Sequence, residues 1–210
     1  NPFTSTKSYD INRSFFLFKI NINNDIVLLV LILNIKGDYM SLYRVKQFFW
    51  ATEAIVKKID YKYVNEYLDD REKFLFNKLT KGDKQHSIRV CKEAINTFNA
   101  TQEINNNLDV NKVAKAALLH DIGKTEYGIN MVEKSIVVIL NKITNGKLKK
   151  YDNIKLIDVY YNHPEKGANI LSKINKYDKD FLDTVKYHHS KKKFENNKLL
   201  GIIRESDNKS

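Results

Sequence analysis

Histidine is the residue type whose placement in this chain most clearly suggests chemistry. The chain has five of them: His86, His120, His163, His188 and His189. Imidazole is the commonest side-chain ligand of catalytic transition metals, and carboxylates join it where a site must hold a hydrolytic ion. Histidines and aspartates that share the buried sides of helices therefore predict a metal site.

The apolar segment 117–124 ends on two adjacent potential ligands, His120 and Asp121, and is then interrupted by Gly123. Ala117 precedes them by three and four residues, so a helix places both polar side chains on its buried side. An unpaired charge costs on the order of several kcal/mol to bury. We therefore expect either a metal ion or a cation beside Asp121.

Three other segments also place histidine or aspartate side chains on the apolar face of a predicted helix. In residues 181–189, His188 and His189 share helical rows with apolar side chains, so both imidazoles are predicted to face the core. Asp207 ends the apolar stripe of the last predicted helix, and His86 lies on the apolar face of an earlier one. Taken singly, a histidine on an apolar face is more often a hydrogen-bonded core residue, and Asp207 alone could be a surface carboxylate.

The elements that must position these residues are predicted to be helices. The chain has 210 residues, but only 7 glycines and 2 prolines, whereas β-sandwiches and barrels need many turn residues. Asp109 is a good N-cap for a helix that follows it, and the residues from Asn162 to Pro164 are predicted to separate one helix from the next. The predicted fold is all-α, a bundle of seven or more helices around a buried metal site. Apolar periodicity places the helices at 43–59, 64–79, 84–99, 110–121, 130–145, 153–161, 165–174, 178–189 and 198–207.

Residues 1–39 differ from the rest of the chain, because their apolar runs lack helical caps. The run from Ile26 to Ile35 is ten residues long, against the roughly 20 that a spanning helix needs. Residues 36–40 can be encoded by AAA GGA GAT TAT ATG, a purine-rich ribosome-binding site before a start codon. We interpret 1–39 as translated leader or disordered segment and 40–210 as the functional domain. The alternative is a genuine N-terminal strand or a membrane-associated segment.

The net charge of +11 favours polyanionic ligands, although AT-rich codons would enrich Lys, Asn, Ile and Tyr together. The lysines at 147–150 and 191–193 suggest nucleic acid, but they lack interleaved aromatics and are better explained as solvated surface. Cys91 is the single cysteine, which excludes an internal disulfide and favours a buried thiol and a reducing, cytoplasmic compartment. No membrane association is expected.

The order H…HD…H…HH…D resembles the HD superfamily of metal-dependent phosphohydrolases, and LLHDIGK is similar to its HDIG subgroup. The match spans about residues 80–208. The supporting motifs are HSIRV at 86–90, HPEKGA at 163–168, KYHH at 186–189 and ESD at 205–207.

The resemblance implies a site with one or two divalent ions, of iron, manganese, cobalt or zinc. The first ion would be held by His86, His120, Asp121 and Asp207. The second would be held by Asp121, His163 and His188, with His189 as a further ligand or phosphate contact. Lys124 is expected to face the phosphate, and Arg89 to contact the substrate. Asp121 and Lys124 are the expected catalytic residues, acting on a phosphoryl group that the metal polarises and on a water whose pKa it lowers.

The resemblance leaves the substrate open. Ser190 and three lysines stand where the cyclic-di-GMP phosphodiesterase branch has a Gly-Tyr-Pro element. The motifs at 163–168 and 186–189 are closer to those of small HD proteins that split dinucleoside polyphosphates. We expect hydrolysis of a phosphate ester or anhydride of a nucleotide-like small molecule. The alternatives are a non-catalytic HD module that binds or regulates, and an RNA-processing protein; the sequence gives no oligomeric state.

Overall fold

The computed structural model describes residues 58–100, 108–129, 133–134, 137–138, 140–141, 144–175, 177–190 and 197–210. Within these ranges it has seven α-helices and no strand, which confirms the predicted all-α bundle. The α-helices are α1 (Tyr61–Tyr67), α2 (Asp70–Asn77), α3 (Lys81–Ala100), α4 (Val110–Leu119), α5 (Lys155–Ile174), α6 (Lys179–Tyr187) and α7 (Lys198–Lys209). Two short 3₁₀ segments are Ile122–Glu126 and Lys147–Tyr151. The described residues of the helix predicted at 130–145 are helical between 133 and 141.

Several of these helices begin at a side chain that accepts a backbone N–H. Asp109, the predicted N-cap of α4, accepts from the Lys112 nitrogen at 2.8 Å. Asp178 caps α6 in the same way, and Asn197 caps α7. Such contacts satisfy N–H groups that have no partner inside the helix, so they fix where each helix begins.

The single helix predicted over 64–79 is wrong, because the structure has two helices there. Leu68 is extended, with φ −98° and ψ 136°, and ends α1. Asp69 then starts α2 with a capping box, in which its side chain accepts from the Glu72 nitrogen and the Glu72 side chain accepts from its own. The periodicity continues across the break, but the reciprocal cap outweighs it.

The predicted break at residues 162–164 is also wrong, since α5 runs through Pro164 without interruption. Proline has no N–H to donate to the carbonyl four residues earlier, here that of Tyr160. His163 supplies the missing donor: its Nδ1 lies 3.1 Å from the carbonyl oxygen of Tyr160 and 3.1 Å from that of Val159. The helix therefore keeps its carbonyls satisfied, and the histidine ring is fixed at the same time.

Helix α4 lies at the centre of the bundle, and six of its ten residues are buried. Apolar side chains of α1, α2, α3, α6 and α7 pack in the same core cluster. Because α4 leads directly into His120 and Asp121, this core places both residues in the interior. A smaller apolar cluster contains Val137, Leu148 and Ile157.

Three predictions concern residues outside the described ranges. They are the interpretation of residues 1–39, the helix at 43–59 apart from positions 58 and 59, and the lysines at 191–193. None of the described helices combines the length and apolar character that a membrane crossing requires.

Candidate metal centre

Five parts of the fold bring histidine and aspartate side chains to one place. Helix α3 contributes His86, and α5 contributes His163. The remaining residues come directly after α4 and α6 or from the last turn of α7: His120, Asp121, His188, His189 and Asp207. Residues up to 121 positions apart in the chain therefore meet through tertiary packing alone.

Asp121 lies at the centre of this cluster and is only 1% exposed. Its Oδ1 is 3.2 Å from Nε2 of His163 and 3.7 Å from Nε2 of His188. Its Oδ2 is 3.4 Å from Nε2 of His120 and 3.8 Å from Nε2 of His86. The two carboxylate oxygens therefore face two different pairs of imidazoles.

Asp207 lies at the edge of the cluster. Its Oδ1 is 3.0 Å from Nε2 of His86 and 3.8 Å from Nε2 of His120. Its Oδ2 is 3.7 Å from Nδ1 of His189. The side chain of His189 is 51% exposed, so the prediction that both histidines of the pair face the core is wrong for His189. The reason is that α6 ends at Tyr187, and the helical row does not extend to that position.

Each of the three buried histidines is oriented by a carbonyl of its own helix. Nδ1 lies 2.7 Å from the Ala117 oxygen in His120 and 2.7 Å from the Val185 oxygen in His188. His163 makes the corresponding contacts in α5. Because a carbonyl can only accept, Nδ1 carries the proton and donates, which leaves the lone pair on Nε2.

These lone pairs are the test of whether a metal fits. The Nε2 atoms of His120, His163 and His188 and Oδ1 of Asp121 are buried without a hydrogen-bond partner. Buried polar atoms are normally paired, and three imidazole lone pairs turned toward a carboxylate repel it unless a cation lies among them. Imidazole rings and carboxylates are common ligands of divalent transition metals, and a metal-bound imidazole usually donates from its other ring nitrogen to a carbonyl or carboxylate. The cluster therefore fits a metal ion.

The donor atoms form two groups, within each of which they lie within 4.8 Å of one another. One group consists of His86, His120 and Asp121; the other consists of Asp121, His163, His188 and His189. Asp121 belongs to both, and Asp207 adjoins the first through His86. This is the division between two ions that the sequence resemblance implies.

The charges around Asp121 favour its ionised form. Burial by itself would raise the pKa of Asp121, but its polar neighbours, and the positive charge of Lys124 above all, outweigh burial and hold that pKa well below its usual range. Burial lowers the pKa of His163 to about 4. The centre thus combines a buried carboxylate with a histidine that stays neutral at neutral pH, which is the protonation state a metal requires.

Lys124 supplies the cation beside this carboxylate. It is only 9% exposed, and its Nζ donates to Oδ2 of Asp121 and lies 3.9 Å from Oδ1 of Asp83. Burial opposes the charge of Lys124, but the two carboxylates outweigh it and raise the pKa of the amine. The exposed Lys134 lies near enough for the Lys124 charge to lower its pKa. A second lysine therefore lies within electrostatic range of Lys124.

Gly123 allows the 3₁₀ segment Ile122–Glu126 to approach α5 closely. A Cβ atom at this position would lie 1.9 Å from the carbonyl oxygen of His163 and 2.7 Å from the Gly167 nitrogen, both of them backbone atoms. No side chain fits in that space. The glycine after the His-Asp pair thus lets the Asp121 and His163 backbones come together.

All seven predicted ligand residues come together in the structure, and their role as ligands stays a prediction. Arg89, predicted to contact substrate, is half-buried one turn beyond His86 in α3, and its role also stays a prediction. Sequence reasoning missed Asp83 and Lys134. Asp83 precedes His86 by three residues on the same helix, which was a usable signal; Lys134 offered none, because only tertiary packing brings it near.

The HD domain family model matches residues 84–209, which include all seven residues of the His and Asp cluster. No curated protein and no solved structure matches the chain. The HD domain is typical of metal-dependent hydrolases, and the His and Asp cluster of this chain could hold a divalent ion. The match covers more than half of the chain and agrees with the histidine order, the helical fold and the clustered donors. The chain therefore belongs to the HD domain family.

Proposed function

We propose that this protein is a metal-dependent phosphohydrolase that cleaves a phosphate ester or anhydride of a nucleotide-like small molecule. The observation that carries the proposal is the set of four buried donor atoms without hydrogen-bond partners, on His120, Asp121, His163 and His188. A merely structural cluster would have its polar atoms paired. Donors left open toward one another support a bound ion.

In this proposal His86, His120, Asp121 and Asp207 hold one ion, and Asp121, His163, His188 and His189 hold another. Iron, manganese, cobalt and zinc all suit mixed imidazole and carboxylate ligands. A bound divalent ion supplies Lewis acidity, which polarises the phosphoryl oxygens and lowers the pKa of a water bound to it. The proposal includes membership of this chain in the HDIG subgroup of the family.

The protein's own residues position the reacting groups. The carbonyls of Ala117 and Val185 fix the rings of His120 and His188, so that their Nε2 atoms stay directed at Asp121. Lys124 brings a positive charge beside this carboxylate and is proposed to stabilise the phosphoryl group as charge develops on it. Lys134 adds a second ammonium near Lys124. The two positive charges repel each other, and an anionic phosphate bound near them would relieve that repulsion.

The test compares Asp121→Ala with Lys124→Ala. Asp121 belongs to both donor groups, so its loss is expected to abolish metal binding and hydrolysis together. Lys124 is not a metal ligand in this proposal, so Lys124→Ala is expected to keep the metal and to lose on the order of 100-fold in turnover. Metal content and phosphate release from a panel of nucleotides and phosphate esters are measured for both variants and for the parent.

The same measurements separate the proposal from its alternatives. A parent that binds metal but releases no phosphate from any ester supports a non-catalytic HD module that binds or regulates. An Asp121→Ala variant that keeps its metal and hydrolyses at the parental rate excludes the proposed mechanism. In that case RNA cleavage becomes the hypothesis to test, because the net charge of +11 favours binding to RNA.

A further inference from the structure

A guanidinium group holds the turn that carries His188 and His189. Helix α6 ends at Tyr187, and the last carbonyls of a helix have no partner within it. Nη2 of Arg204, from α7, donates to the Tyr187 oxygen at 2.9 Å and to the Ser190 oxygen at 2.6 Å. These two carbonyls lie directly before and directly after the pair of histidines. The contact therefore fixes both ends of the two-residue turn.

Arg204 also connects the two donor groups. It precedes Asp207 by three residues, so both lie on the same side of α7. Asp207 adjoins the first group through His86, while His188 and His189 belong to the second. One side chain on α7 thus sets where the second group stands relative to the first.

The two groups depend on Arg204 to different degrees. Helix α7 is anchored independently of Arg204, because Leu199, Leu200, Ile202 and Ile203 are all buried. Asp207 therefore keeps its place without the guanidinium. The turn after α6 has less support: the Ser190 N–H donates to the Tyr187 oxygen at 2.8 Å and the Val185 carbonyl holds the ring of His188, whereas His189 is half exposed.

We propose that Arg204 is a positioning residue, which holds the His188–His189 turn so that both imidazoles stay within the second donor group, and thereby sets the metal affinity of that group. Arg204 is not among the residues of either donor group. The proposal rests on the proposed function, because it requires that this group binds an ion.

The experiment measures Co²⁺ affinity by competition with a chromophoric chelator, using Co²⁺ alone as the probe on the full chain. Arg204→Met keeps an apolar stem and removes the donors. Groups that orient ligands typically contribute about 10–100-fold in metal affinity. We expect the parent to bind two equivalents and Arg204→Met to bind one of them about 10–100-fold more weakly, with the other unchanged. Arg204→Lys, which keeps one cationic nitrogen on a shorter stem, is expected to lose about 3–10-fold.

Arg71→Met is the matched control. Arg71 Nη1 donates to the carbonyl of Ile174, the last residue of α5, at 3.1 Å, so it makes the same kind of contact at a helix end away from the cluster. We expect its Co²⁺ affinities to equal those of the parent. Melting temperatures in chelator are recorded for every variant, and Arg204→Lys decides the test if Arg204→Met does not fold.

Four results would overturn the inference. Parental affinities in Arg204→Lys, or in a folded Arg204→Met, exclude a positioning role. Equal weakening of both equivalents shows that Arg204 acts on the fold as a whole. A parent that binds one equivalent, whose affinity Arg204→Met leaves unchanged, shows that the second group holds no ion, whereas a parent that binds none overturns the proposed function as well.

Discussion

At the scale of single residues, burial decides which side chains can react. Cys91 is fully buried in α3, and its Sγ lies 3.6 Å from the carbonyl oxygen of Ala114 and 3.6 Å from the hydroxyl of Tyr63. Burial raises the pKa of this thiol to about 12. The thiolate is the reactive form, so the residue is chemically silent in the folded protein.

We therefore expect native Cys91 to resist alkylation at pH 8. With a pKa of about 12, only about one thiol in 10⁴ is ionised at that pH, whereas an unfolded thiol with a pKa of about 8.5 is ionised to roughly a quarter. Because Cys91 is the chain's single cysteine, mass spectrometry of iodoacetamide-treated protein reads it directly. Labelling as fast in the native protein as in 6 M guanidinium would contradict its burial.

At the scale of elements, the close approach of the 3₁₀ segment and α5 is what brings Asp121 and His163 together. The contact is made by backbone, between Gly123 on one side and His163 and Gly167 on the other. Backbone atoms cannot rotate away as a side chain can. A methyl group at Gly123 must therefore separate the two elements.

Gly123→Ala is accordingly expected to lower the free energy of unfolding by about 1–3 kcal/mol and to weaken metal binding, because overpacking displaces His163. Urea unfolding and Co²⁺ titration measure the two effects. Gly201→Ala is the matched control: a Cβ at Gly201 has no neighbour within 4 Å, and the residue lies inside α7. That change should raise stability by about 0.5–1 kcal/mol. Metal affinity in Gly123→Ala equal to that of Gly201→Ala would rule out this account.

At the scale of the whole molecule, the donor cluster joins helices that are distant in the chain. His86 comes from α3, His163 from α5 and Asp207 from α7, while Asp121 follows α4. A metal that binds only the folded arrangement links these helices at one point. Its binding energy therefore adds to the stability of the fold.

Removing the metal should consequently destabilise the entire bundle. At a free ion concentration 100-fold above its dissociation constant, one bound ion contributes about 2.7 kcal/mol. We expect the melting temperature to rise on adding Co²⁺ or Mn²⁺ to chelator-treated protein, and to fall again with EDTA. Asp121→Ala should show no response to either ion, since Asp121 belongs to both donor groups. A parent whose melting temperature ignores every divalent metal tested would refute metal binding by this cluster.

The sequence by itself determined the helical class, the family and the identities of the clustered residues. Those conclusions rest on local features: apolar periodicity, the His120–Asp121 pair, the N-cap at Asp109, and the order of the later histidines. Spacings of three and four residues fix the face of a helix, so burial of His120, Asp121 and His188 could be predicted. The buried thiol of Cys91 was predicted on composition alone.

Only the tertiary structure decided how the parts meet. Apolar periodicity missed the helix break at Leu68, although Asp69 and Glu72 have the spacing of a capping box, and no local pattern could show that the His163 ring replaces the N–H that Pro164 lacks. They also placed His189 in the core, where the end of α6 instead leaves it half exposed. Contacts such as Arg204 with the Tyr187 carbonyl join residues that share no helical face. Their geometry depends on how whole helices pack, because spacing along one helix says nothing about which neighbour it will touch.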